Sequence, residues 1–155
     1  MKFSCEKALL QSMIAIASRA VAPKSTIPAL EGVLLEAEQE LNLTGYNLKT
    51  GIRGTISADI SEPGSIVLSA RLFGDIIRRL PDDVVTLSTN DLMVNITCGM
   101  SEFNILGIDP SQFPACCGIP EQHDPASAHP PFYDYRDHLR CLYQRQPSHP
   151  HRRAV

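Results

Sequence analysis

The feature that most limits how this chain can fold is a repeated hydrophobic pattern in its first 113 residues. Alternating polar and apolar residues at 2–5 predict a strand, and apolar residues recurring at every third or fourth position from Leu9 to Ala20 predict a helix. Further strand patterns follow at 32–37, 41–46 and 50–60. The predicted order of this first unit is therefore β-α-β-β-β.

The same order begins again at Gly64, roughly 60 residues after the first unit begins. A predicted strand at 65–69 leads into a predicted helix at 71–80, whose apolar face consists of Leu72, Phe73, Ile76, Ile77 and Leu80. Strand patterns at 84–88, 92–97 and 101–106 complete the second unit. Because each unit has one helix too short to cover a sheet alone, we predict a pseudo-twofold α+β domain. Both helices are expected to pack side by side on one face of a shared antiparallel surface.

Composition changes near Phe113 and divides the chain into 1–113 and 114–155. The second segment contains seven of the twelve prolines, all five histidines and no lysine. Its aliphatic residues larger than alanine are too few for a core, and they are Ile119, Leu139, Leu142 and Val155. We therefore predict one folded domain over 1–113 and a tail of low order over 114–155.

The tail has two interpretations besides simple disorder. Its Cys116, Cys117 and Cys141, together with the histidines, could form a small metal-binding or redox module, although their spacing matches no usual ligand pattern. Alternatively, permitted codons for 133–155 read one base later allow a peptide that resembles the second domain of the family named below. We therefore expect the tail to be out of frame, with no metal bound.

Residues 1–113 contain no histidine, so Ser-His-Asp, Cys-His and histidine-based metal sites have no parts there. We expect no enzyme active site and no cofactor. Cys5 and Cys98 lie on alternating stretches, which suits buried small hydrophobes in a reducing compartment. Because no apolar run reaches the roughly 20 residues of a membrane span, a cytoplasmic chain without a membrane partner is expected.

The basic residues predict a binding surface. Residues 1–113 carry nine Lys and Arg against thirteen Asp and Glu, a net charge of −4, so only local clustering of cations could bind nucleic acid. The candidates are Arg71, Arg78 and Arg79 on the second helix, with Arg19 at the end of the first helix and Lys24 in the loop just after it. Beside the uncharged Gln11, Ser12, Ala15 and Ser18, they would contact phosphates of double-stranded DNA without reading its sequence. The alternative is that Arg78 and Arg79 only favour the C-terminus of their helix electrostatically.

Several stretches of residues 1–113 resemble the bacterial DNA polymerase III beta subunit family, the replicative sliding clamps. They are MKFSCEKALL, PKSTIPALEGVLLEA, LNLTGYNLKTGI, ARLFGDIIRRLPDD and LMVNITCGMSEFNILGIDPSQFP. Together they cover essentially all of 1–113, in order. Without this resemblance, an unrelated β-rich interaction domain would remain an alternative.

The resemblance implies a ring of two subunits, each with three domains of the double β-α-β-β-β kind, that encircles DNA and tethers polymerase III. It implies DNA contacts at Lys24 and Arg71, a recurring cation at Arg78, and apolar subunit contacts at Phe103 and Ile105. The clamp loader would be a further partner. A clamp subunit is more than twice as long as this chain, so we expect a first domain that lacks the main polymerase-binding pocket and does not close a ring.

Overall fold

The computed structural model describes residues 1–114, so the predicted tail from residue 115 onward, including Cys116, Cys117 and Cys141, lies outside the described residues. The strands are β1 Lys2–Glu6, β2 Gly32–Ala37, β3 Leu41–Tyr46, β4 Gly51–Ile56, β5 Asp59–Glu62, β6 Gly64–Ser69, β7 Val84–Asn90, β8 Met93–Cys98 and β9 Ser101–Leu106. The helices are α1 Lys7–Ala17 and α2 Ala70–Arg79, with short 3-10 turns at Ser18–Ala20, Pro28–Glu31 and Pro110–Gln112.

The strands form two antiparallel sheets, in the orders β5-β1-β7-β8-β9 and β4-β3-β2-β6. The first strand of each repeat pairs with the second strand of the other repeat, since β1 pairs with β7 and β6 pairs with β2. This exchange interlocks the two units around a pseudo-twofold axis. The predicted α+β architecture with two β-α-β-β-β units is therefore confirmed.

One strand of the sequence prediction is wrong. The strand predicted at 50–60 is two strands, because the chain leaves β4 after Ile56 and crosses to the other sheet, where Ile60 of β5 pairs with Phe3 of β1. The hydrophobic alternation at 56, 58 and 60 continues through the crossing, so the pattern alone does not reveal it. The alternation also does not show that the strands divide into two sheets, since it identifies strands but not their partners.

The two helices contact each other and pack against the four-stranded sheet, α1 on β3 and β4 and α2 on β2 and β6. The backbones of α1 and β3 approach each other closely at Gly45, where a Cβ atom would overlap the backbone carbonyl of Ala17. The buried side of α2 is narrower than predicted, because Leu72 at the edge of the apolar stripe is 47% exposed while Phe73 is 0% exposed. Leu72 lies at one end of the apolar arc, about 100° around the axis of α2 from Phe73, so the sheet covers Phe73 and not Leu72.

Both cysteines of the described residues are free and buried, as the alternation predicted. Cys5 of β1 and Cys98 of β8 both pair with Val85 of the strand between them, β7. Two strand spacings separate their backbones by about 9–10 Å, beyond the reach of a disulfide. Burial raises the pKa of Cys5 to about 12 and also raises that of Cys98, with Asp83 adding to the increase at Cys98.

These pKa values predict slow thiol chemistry. At pH 8, iodoacetamide should modify Cys5 of the folded chain about 1000-fold more slowly than in urea, because the thiolate is the reactive form and its population falls as the pKa rises from 9.0 to about 12. Burial of the neutral thiol also stabilises the fold below pH 9 and loses that contribution between pH 9 and about 12. Peptide mass mapping of the alkylated cysteines gives the rates. Equal rates in buffer and in urea would contradict the burial of β1.

Candidate nucleic-acid interface

An open cleft of about 640 Å³ lies between the solvent-facing sides of α1 and α2. Its α1 side presents small or uncharged residues, among them Gln11, Ala15 and Ser18. Its α2 side carries Arg71 and Arg78. The α1 side of the cleft is therefore uncharged and the α2 side carries two cations. The lining also includes two carboxylates, Asp75 of α2 and Glu31 of the 3-10 turn Pro28–Glu31.

The structure brings together some of the five predicted cations. All five are exposed, but only Arg71 and Arg78 line the cleft, because a spacing of seven residues returns a helix to the same face. Arg79 is rotated by about 100° from Arg78 and lies outside the cleft lining. Arg19 follows the lining residue Ser18 in the 3-10 turn and is also outside the lining.

Lys24 lies in the loop beside the cleft, directly after the lining residue Pro23. Hydrogen bonds hold this loop on both sides of Lys24. The Ala22 amide donates to the Leu30 carbonyl at 3.0 Å, and the Ser25 amide donates to Glu31 Oε1 at 2.9 Å. The backbone that carries Lys24 is therefore fixed at the rim of the cleft.

The sequence prediction missed the two acidic residues of the cleft lining, Glu31 and Asp75. Asp75 of α2 lines the cleft, and its Oδ1 lies 3.2 Å from Nη1 of Arg78. The spacing of three residues on one helix is a signal that could have found this pair. Within residues 1–114, no carboxylate lies within 4.0 Å of the side-chain nitrogens of the other four candidates, Lys24, Arg71, Arg19 and Arg79.

The predicted subunit contacts lie on β9, an edge strand of the five-stranded sheet. Phe103 is 38% exposed, whereas Ile105 is 8% exposed and belongs to the core of its own domain. On the other face of this edge, Leu106 pairs with Met93, and both side chains are exposed. Of these two residues, only Phe103 has a side chain open to a partner, because the core of the domain covers Ile105.

Residues 1–114 contain no cluster of three or more His, Cys, Asp and Glu side chains that could hold a metal ion. The cysteines and histidines of the predicted metal or redox module lie outside these residues. In the same part of the chain, no helix is long and apolar enough to cross a membrane.

Comparison with known proteins gives consistent matches. Residues 1–117 match the model of the DNA polymerase III beta subunit, N-terminal domain. The beta sliding clamp of Synechocystis sp. is 38% identical over 74% of this chain and 32% of its own length. That of Staphylococcus aureus is 39% identical over 74% of this chain and 33% of its own. The DNA polymerase sliding clamp structure from Bacillus subtilis superposes with a TM-score of 0.74 at 31% identity, over 79% of this chain and 35% of that one.

The chain thus spans about a third of the length of the curated relatives that it matches. The alternative of an unrelated β-rich interaction domain is wrong, because sequence and fold both match one family over the described residues. The chain belongs to the DNA polymerase III beta subunit family, the beta sliding clamps, and corresponds to its N-terminal domain.

Proposed function

We propose that this chain acts as the first domain of a sliding clamp, holding double-stranded DNA without sequence preference and supporting processive replication in the cytoplasm. The observation that carries the proposal is the placement of cations at the α1–α2 cleft. Arg71 and Arg78 of α2 face the uncharged side chains of α1, and Lys24 lies at the rim. In this role the chain is an accessory subunit of a DNA polymerase with no active site of its own.

The charge distribution supports contact with the DNA backbone. Arginine and lysine neutralise phosphates and release counterions, which makes affinity dependent on salt but not on sequence. The net charge of −4 over 1–113 repels DNA from the rest of the surface. Binding is therefore confined to the face on which the cations cluster.

A salt titration of DNA binding tests this proposal. Replacing Lys24 and Arg71 by alanine should each reduce the slope of log K against log salt by about one, because each removes one phosphate contact. Fluorescence anisotropy with a labelled 30-base-pair duplex gives the slope. Lys49→Ala is the matched control, since Lys49 is exposed in the β3–β4 turn and does not line the cleft. An unchanged slope in the double variant Lys24→Ala/Arg71→Ala, or preference for one sequence, would overturn the proposal.

We also propose that Phe103, next to Ile105, marks a subunit interface at the free edge of β9. An edge strand offers unpaired backbone groups to a strand of another subunit, and in the family that strand belongs to a third domain. We therefore expect weak self-association through this edge, in place of the family's homodimeric ring, when the chain is studied alone. Sedimentation showing a stable closed dimer on circular DNA would contradict this expectation.

A further inference from the structure

Asp75 is an acidic residue on the α2 side of the cleft, where it lies between Arg71 and Arg78. It lies four residues after Arg71 and three before Arg78, so all three side chains share one side of α2. The Asp75 side chain is 45% exposed and the Arg78 side chain 70% exposed, and their charged groups are 3.2 Å apart. Arg71, by contrast, has no carboxylate of residues 1–114 within 4.0 Å.

This ion pair contributes little to folding. Exposed pairs of this kind gain little energy, because water and salt screen them and both side chains lose freedom. The carboxylate nevertheless lies within one Debye length, about 10 Å at 0.1 M salt, of any phosphate that Arg78 could contact. It therefore cancels the charge of Arg78 and repels a phosphate at the same place.

We propose that Asp75 limits the affinity of the α1–α2 cleft for DNA by neutralising Arg78. The inference rests on the proposed function and refines it. Arg71 and Lys24 supply the phosphate contacts, while the charge of Arg78 is neutralised by Asp75 and Arg78 adds little to DNA binding. A clamp domain that must let DNA move gains from such weakening, because every full phosphate contact has to break when the DNA slides. Asp75 is thus a positioning residue that acts through Arg78.

Removal of the charge tests the inference in the full chain, with a labelled 30-base-pair duplex of random sequence. Asp75→Asn should steepen the salt slope by about 0.9 and tighten binding roughly eightfold at 0.1 M salt, the effect of one added phosphate contact. Asp91→Asn is the matched control. It makes the same change in net charge in the β7–β8 turn, and asparagine tolerates the φ of 53° there. It should leave the slope unchanged.

A double-variant cycle shows whether the gain depends on Arg78. Arg78→Ala alone should change the slope by clearly less than Arg71→Ala does, and in the Asp75→Asn background it should abolish the gain. Asp75→Ala serves as a second variant if Asp75→Asn melts earlier than the wild type. The inference is overturned if Asp75→Asn behaves like Asp91→Asn, or if its gain survives Arg78→Ala. The proposed function fails with a different result, in which neither Lys24→Ala nor Arg71→Ala alters DNA binding. If the wild-type chain binds no DNA, both the proposed function and the inference about Asp75 are wrong.

Discussion

Replacing Phe73 by alanine is expected to lower the free energy of unfolding by about 3–5 kcal/mol, because it deletes a large side chain and leaves a cavity in a packed core. Phe73 is 0% exposed and projects from α2 into the main core cluster. Urea denaturation of the purified chain, followed by far-ultraviolet circular dichroism, gives the change. A loss this large is a big fraction of the stability of a small domain.

The neighbouring Leu72→Ala is the matched control for this prediction. Leu72 is half exposed at the edge of the same helix, and alanine is an equally good helix former, so the expected loss is about 1 kcal/mol or less. The two variants differ by one position and by about 100° of rotation around the axis of α2. Equal losses for the two would mean that α2 presents a different face to the core.

The same pair of residues shows what periodicity can predict. Spacing by three and four located both helices, and it placed Phe73, Ile76 and Ile77 in the core. It did not show how wide the covered arc is, because this depends on the sheet beneath the helix. Bounds of strands such as β2 and β9 could be predicted because turn residues flank them, whereas the crossing from β4 to β5 depends on a distant partner, β1.

The positions of some residues of the candidate site could be predicted from the sequence, and those of others could not. The spacing of seven residues puts Arg71 and Arg78 on one face of any helix. The position of Lys24 could not be predicted in this way, because its loop is held by hydrogen bonds to Leu30 and Glu31, several residues away. The pairing of Asp75 with Arg78 is predictable from the sequence, because residues three apart on a helix are neighbours on its surface.

The segment after β9 packs against the four-stranded sheet and marks the C-terminal limit of the folded domain. Phe113 is buried in a small second cluster with Ala29 and Val67. Ile108 forms an isolated bridge with Val67, with two backbone hydrogen bonds of 3.1 and 2.8 Å. The segment after β9 therefore closes the outer side of the four-stranded sheet. We propose that the independently folding unit includes this segment and ends near residue 113.

Two truncated chains test this boundary. A chain ending at Pro114 should melt within about 2 °C of the full chain, since four large aliphatic residues in 114–155 cannot offset an ordering cost of roughly 1–2 kcal/mol per residue. A chain ending at Gly107 should melt at least about 10 °C lower, because it loses Phe113, worth about 3 kcal/mol, and the Ile108 bridge. Phe113→Ala in the full chain separates the side chain from the backbone and should reproduce much of that loss. If ending the chain at Pro114 is as damaging as ending it at Gly107, residues beyond 114 contribute to the fold and the proposed boundary is wrong.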